Sequence, residues 1–502
     1  MSSAAADREK HRKQTFKASI DSAKSRRNRE QTQISIRKRK KEDRLSKRRR
    51  AGAPTDTIRI DGSDEDAVRQ FPQMKAALLS GDPLLAFQAL RFFRGLLSKE
   101  NDPPVEQFLR AGLLPVFLQF LAEGHDENAV FESLWTITNV ASGTTEQAKA
   151  VAHAGALPLL ARLCASRNTD IREQAIWAIG NLAGDCVELR DFVIASGSLQ
   201  AIASSCTPDA PISLLRTATW TLSNCCRAKP PPNFDQVMPL IPVFAGLLET
   251  ADTQLLEDAL WGLSFICDGP DDNIQAILKH DIVKYAARML SHPQIKIKAA
   301  ALRLIGNVAS GNDFQTQEIL RHGALDPVIL LLNSPRASMR KEVVWLLSNV
   351  AAGTPAQKLL LFQKKVFHRL LILYKQSSFA IRKEIIWTLS NALSGGTDEQ
   401  GAHLIKLGFI EPLLAECEGA DVEVVKISLD AIAHLLRTNE AGTMAVLTEN
   451  DAATTFEALQ QHRDHDVYDA VVKLIEQYFD GVEDVEDVED VIDLTLPSGM
   501  AF

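Results

Sequence analysis

All six tryptophans of the 502-residue chain fall on one period: Trp135, Trp177, Trp220, Trp261, Trp345 and Trp387 are 42, 43, 41, 84 and 42 residues apart, and Arg303 stands midway in the double interval. Four residues beyond these positions comes an amide, at Asn139, Asn181, Asn224, Asn307, Asn349 and Asn391, with Phe265 as the exception. Residues four apart share one face of a helix, so each indole stands beside its amide. An aromatic at fixed register reads most simply as core packing. A mid-helix Asn does not, because its propensity is poor and its donors and acceptor are costly to bury without partners. A row of amides at regular intervals matches what an extended peptide backbone needs, a donor and an acceptor at each step. The indole faces between them form slots for the stem of a Lys or Arg, whose cation meets the ring quadrupole in a contact worth about 0.5–2 kcal/mol. Carboxylates complete such slots: Asp185 lies four beyond Asn181, and Asp258, Asp268, Asp313, Glu342 and Glu384 hold comparable places. The expected chemistry is non-covalent binding of a stretched, lysine-rich strand.

The elements that must position this row are helices. From residue 71 to 480 apolar residues recur at three- and four-residue spacing, punctuated once per repeat by phrases such as Ala154-Gly155-Ala156-Leu157-Pro158 and His322-Gly323-Ala324-Leu325-Asp326-Pro327. Glycine there stops one helix and proline enters the first turn of the next. Two apolar helices and one bearing Trp-x-x-x-Asn per 42 residues predict an all-α armadillo-repeat solenoid, a right-handed superhelix of about ten repeats with one helix of each unit lining a concave groove.

Composition narrows the function classes. The chain is 45% hydrophobic and 24% charged, and no apolar run approaches the ~20 residues of a membrane helix. Membrane insertion is not expected, and the basic first fifty residues lack a secretory signal. The seven cysteines, at 164, 186, 206, 225, 226, 267 and 417, form no CxxC pair and read as small core residues in a reducing compartment. There is no P-loop, GxSxG, HExxH or dinucleotide fingerprint. An enzyme, a cofactor and a metal site are therefore not expected. The net charge of −8 hides an asymmetry, since residues 1–50 carry +13 and the remainder −21.

Residues 1–50 contain no Gly or Pro and one aromatic, Phe16, so they suit a segment that folds on a partner. A linker follows over 51–70, and 481–502 form an acidic tail expected to be disordered, its run from Asp480 to Asp493 holding eight acids in fourteen residues.

The stretches Trp135-Thr136-Ile137-Thr138-Asn139-Val140-Ala141-Ser142-Gly143-Thr144, Trp220-Thr221-Leu222-Ser223-Asn224 and Trp387-Thr388-Leu389-Ser390-Asn391 resemble the importin-α family, adaptors that carry cargo with a nuclear localisation signal to importin-β. The resemblance extends to the irregularities at Phe265 and Arg303. It implies a major cargo site of Trp135, Asn139, Gly143, Gln174, Trp177, Asn181, Asp185, Trp220, Asn224 and Arg227, with Asp185 taking the key lysine. The minor site it implies comprises Arg303, Asn307, Asp313, Thr316, Glu342, Trp345, Asn349, Glu384, Trp387 and Asn391. Ala148 stands where the family usually has a threonine, and Gln254 where an acid is common, which predicts a less selective major site.

In the tail, Arg26, Arg27, Arg29, Arg37, Lys38, Arg39 and Lys40 are similar to the family's importin-β-binding segment, and Lys47, Arg48 and Arg49 have the composition of a cargo signal. A short tether gives an effective concentration near ~1 mM, so even a weak copy would occupy the groove and autoinhibit it. The last repeat, around 467–479, resembles the family's docking site for an export receptor, and the implied life is one of shuttling between cytoplasm and nucleus. The competing readings are a general armadillo scaffold and a tail bound to nucleic acid, which direct binding of phosphate by the same charges would support. An NLS-like sequence in cis favours the adaptor.

Overall fold

Several repeats begin where a glycine ends the helix before it. In the computed structural model, which describes residues 68–479 apart from 100, 101 and 123, Gly112, Gly155 and Gly323 take φ values of 64°, 82° and 74°. These left-handed angles favour a residue without a side chain, and the chain reverses there to start the next helix. Proline then sits in the first turn of Leu114–Gln119 and Ala156–Leu163, where a missing N–H costs nothing.

Several of the long helices are started by a side-chain cap. Asn168 accepts from the backbone N–H groups of Asp170 and Ile171 to open Thr169–Ala183, and Asp126 and Asp252 do the same for Glu127–Ala141 and Thr253–Cys267. The short helices Thr145–His153 and Asp313–Arg321 open with capping boxes, Thr144 with Gln147 and Asn312 with Gln315. The second of these glutamines also links repeats, since Gln315 Nε2 donates to Asp271 O at 2.9 Å.

The described residues are all helix and turn, and they fall into two compact units that divide between Gln357 and Lys358. The first holds seven long helices, Pro83–Leu97, Glu127–Ala141, Thr169–Ala183, Ile212–Cys225, Thr253–Cys267, Ile295–Ala309 and Ala337–Ala351, each packed on the next. In the second, Phe379–Leu393 packs on Val422–Thr438, and that helix on His465–Tyr478. Ten long helices agree with about ten repeats. The first repeat has no tryptophan, and an edge-to-face cluster of Phe71, Phe93, Phe108 and Phe117, with centroids 5.1–5.7 Å apart, fills its core instead.

Five cysteines, Cys164, Cys225, Cys226, Cys267 and Cys417, are buried among apolar side chains, and burial pushes the Cys164 and Cys225 thiols up to about 12. Thiols so poorly ionised at neutral pH make poor nucleophiles or ligands. No described helix is long and apolar enough to cross a membrane. The basic segment over 1–50, the linker to residue 67 and the acidic tail over 481–502 lie outside the described residues.

Candidate functional site

Trp135, Asn139, Gln174, Trp177, Asn181, Trp220 and Asn224 lie on three consecutive long helices of the first unit, Glu127–Ala141, Thr169–Ala183 and Ile212–Cys225. Gly143, Asp185 and Arg227 follow just beyond the ends of those helices. The same register in the later part of that unit puts Arg303 and Asn307 on Ile295–Ala309, and Glu342, Trp345 and Asn349 on Ala337–Ala351. Asp313 and Thr316 open the short helix Asp313–Arg321. In the second unit, Glu384, Trp387 and Asn391 share the helix Phe379–Leu393.

The amides are not the open rungs that the sequence predicts. Asn139, Asn181, Asn224, Asn307, Asn349 and Asn391 are at most 4% exposed. Asn181 Nδ2 donates to Thr138 O at 3.1 Å, Asn224 Nδ2 to Gly180 O at 3.1 Å and Asn307 Nδ2 to Ser264 O at 2.8 Å, each reaching a backbone carbonyl 43 or 44 residues earlier. Asn139 Nδ2 does the equivalent with Ser98 Oγ at 2.9 Å. Half of the amide thus holds neighbouring repeats together, which is the physical reason for an Asn in mid-helix. The other half is unspent at two rungs: the Oδ1 atoms of Asn139 and Asn181 are buried without a hydrogen-bond partner, an arrangement that native proteins rarely leave without a ligand or water to meet it.

The indoles are graded in the same way. Trp177, Trp261 and Trp387 are 9%, 8% and 5% exposed, while Trp135, Trp220 and Trp345 keep more surface. Trp261 stacks on Phe265, with centroids 5.8 Å apart and 24° between planes, so the aromatic that replaces Asn also covers its indole. Arg303 forms a buried-side ion pair with Glu342 of the next repeat, its Nε donating at 3.3 Å. The first repeat repeats that theme at a position sequence reasoning missed. Arg94, one period before Trp135, pairs with Glu132 at 2.5 Å and lies 4.9 Å from the centroid of the Trp135 ring. Burial holds the Glu132 carboxyl above the usual carboxylate range, although the Arg94 and Arg91 charges oppose it.

Glycines beneath the indoles were also missed. A Cβ on Gly180 would come within 2.3 Å of the Trp220 ring and 2.4 Å of Thr221 Oγ1, and one on Gly306 within 2.4 Å of the Trp345 ring. The next repeat's ring therefore lies directly on the helix backbone. Alanine improves helix propensity by about 1 kcal/mol, yet Gly180→Ala is expected to lower stability and displace Trp220, which a blue- or red-shifted Trp emission together with a lower unfolding temperature would register.

Further bonds between repeats fix the register of the site. Gln174 Nε2 donates to Thr138 Oγ1 at 2.8 Å, Thr221 Oγ1 to Ile176 O at 3.1 Å, and Arg227 Nη2 to Gly184 O at 2.6 Å. Ser213 and Thr217 donate to the carboxylate of Glu173 at 2.8 and 3.1 Å. Asp185 is half-buried and sits just past the end of Thr169–Ala183, the negative end of the helix dipole. Acid and helix end together concentrate negative charge there.

Comparison with known proteins agrees with this architecture and adds the part outside the described residues. A family model described as Importin beta binding domain matches residues 12–91. The Armadillo/beta-catenin-like repeat matches 144–184 and 312–352, and the Atypical Arm repeat matches 445–493. Importin subunit alpha-4 of Arabidopsis thaliana is 35% identical over 490 residues, 93% of this chain and 91% of that protein. The chain belongs to the importin-α family. Importin subunit alpha-1a of Oryza sativa subsp. japonica is 39% identical over 312 residues, a match spanning 61% of this chain and 59% of the rice protein. The match to importin subunit alpha-2 of Arabidopsis thaliana, at 38% identity, spans 54% of that protein's length. An engineered protein of known crystal structure has the same fold, with a TM-score of 0.75 at 22% identity over 82% of this chain and 99% of its own. Arg26, Arg27, Arg29, Arg37, Lys38, Arg39 and Lys40, expected to bind importin-β, and the triplet Lys47, Arg48 and Arg49 lie outside the described residues of this importin-α.

Proposed function

We propose that this importin-α is a nuclear import adaptor, not an enzyme, which grips lysine- and arginine-rich localisation signals along its row of indoles and amides. The observation that carries the reading is the conjunction at Asn139 and Asn181 of buried amide oxygens without partners, beside Trp135 and Trp177 and next to Asp185. A strand in extended form supplies backbone N–H groups for the oxygens, an aliphatic stem for the rings and a cation for the acid. In this reading the residues from Trp135 to Arg227 form the major site, and Arg303, Asn307, Asp313, Thr316, Glu342, Trp345 and Asn349 of the first unit take a further basic cluster. Family membership and the match over 12–91 support a link to importin-β through the N-terminal segment. Movement between cytoplasm and nucleus, with an export receptor engaging the helix His465–Tyr478, completes the cycle.

The tail competes with cargo in this reading. Lys47, Arg48 and Arg49 occupy the major site until importin-β withdraws them. Deleting residues 1–70 is expected to tighten binding of a monopartite basic peptide in a fluorescence titration, and an unchanged dissociation constant would argue against autoinhibition.

A further inference from the structure

Along the short helix Val366–Lys375, the exposed residues His368, Arg369, Ile372 and Lys375 recur at helical spacing, and Lys365 stands exposed at its start. Ile372 keeps 50% of its surface. Lys365 takes a φ of 54° at the place that Gly155 and Gly197 hold, with 82° and 75°, before the corresponding helices of earlier repeats. That left-handed angle disfavours any side chain, so the local backbone does not account for a lysine there. Among the described residues Lys365, Arg369 and Lys375 make no ion pair, and the helix itself carries no acid. A basic face with an apolar centre is the result.

The chain itself contains a matching anion. Val482 to Asp490 read Val-Glu-Asp three times over, the run from Asp480 to Asp493 holds eight acids in fourteen residues, and no Lys or Arg follows Lys473. The run starts beside the last short helix, because Phe479 packs edge-to-face on Phe456 of Ala452–Leu459 with centroids 5.6 Å apart. That helix packs on Ile410–Cys417, whose Glu416 accepts from the Tyr374 hydroxyl of Val366–Lys375 at 2.7 Å. Two interhelical steps of about 10 Å thus separate the start of the run from the basic face, and fourteen extended residues reach about 45 Å. Neither helix on the way carries a cation, and both carry acids, Glu411 and Glu416 on the first and Glu457 on the second. Like charge passes the run on to Val366–Lys375.

We propose that the acidic run over 480–493 docks in cis on the exposed face of Val366–Lys375, with its acids against Lys365, Arg369 and Lys375 and its valines over Ile372. Each exposed ion pair is weak and screened by salt. The tether raises the effective concentration of the run to about 1 mM, so several weak pairs suffice to hold it. In the reading above the basic segment over 1–50 is taken by the groove or by importin-β, which leaves this face to the run. The contact straps the eighth repeat to the tenth.

The test is zero-length carbodiimide coupling on the full chain, which joins a lysine amine to a carboxylate only where the two touch. An equal mixture of heavy-nitrogen-labelled and unlabelled protein is coupled at low and at high salt, and the joined peptides are identified by mass spectrometry. Products within one copy, from Lys365 or Lys375 to the acids of 480–493, are expected, and at least about fivefold fewer of them at high salt. Arg369→Glu is expected to cut this coupling at least about threefold, whereas Arg369→Lys should preserve it and add a product at residue 369. Should the reversal variant not fold, the salt series on the wild type decides. Coupling of the run to residues 1–50 in place of the face, products only between differently labelled copies, no product at all, or a yield indifferent to salt would each overturn the docking.

Discussion

Asp185→Lys is expected to weaken binding of a lysine-rich peptide to tail-deleted protein by at least about tenfold, or more than about 1.4 kcal/mol. The acid stands at the end of Thr169–Ala183 and is half-buried, so its attraction for a cargo cation adds to that of the helix end and is less screened than a fully exposed pair would be. Reversal of charge replaces this attraction with repulsion and offers the site a competing ammonium in cis. An anisotropy titration at two salt concentrations measures both the loss and its weaker salt dependence. An affinity unchanged by the reversal would remove Asp185 from the site. Trp177→Ala is a companion with a mixed readout, because an indole only 9% exposed contributes to the core as well as to the slot.

The largest effect on folding is expected from Arg190→Ala. Arg190 is 1% exposed, and its guanidinium holds the carbonyls of Arg227 and Pro230 while also meeting the Asp191 carboxylate at 2.7–2.9 Å. Truncation leaves buried carbonyls without donors and a void where the side chain lay, a change of about 3–5 kcal/mol. Repeat arrays unfold in pieces, so the loss should be read locally. Amide exchange at Arg227, Ala228 and Lys229 should accelerate along with a fall in overall stability, and a cost below about 1 kcal/mol would show that the loop does not depend on this guanidinium. Because Arg227 is among the predicted cargo contacts, peptide affinity should fall as well.

Much of this was legible in the chain. The period of 42 residues, the punctuating Gly-x-x-Pro phrases and the amphipathic spacing suffice for an armadillo stack, since each element repeats and local preference agrees with the tertiary arrangement. Trp135 to Asn224 fall together on consecutive helices because equal spacing in sequence becomes equal height in a stack. What could not be read is where a polar group finds its partner. Asn181 announces a need for hydrogen bonds, but only coordinates reveal that Thr138 O, 43 residues back, meets half of it. Gly180 and Gly306 look like weak points in a helix until the ring of the next repeat is seen lying on them. Arg190 escaped notice for a different reason: its counterparts at the same register are Ala148, Thr316 and Lys358, so no recurring residue type marks the position.

The shared use of the amides has a mechanical consequence. Since Asn181 and Asn224 both clasp the preceding repeat and flank the place proposed for cargo, the side chain that would hold a ligand is also the hinge pin between adjacent segments. In the proposed reading, occupation by cargo and the grip of one repeat on the next act through the same side chain, so binding should slow the parting of those neighbouring repeats.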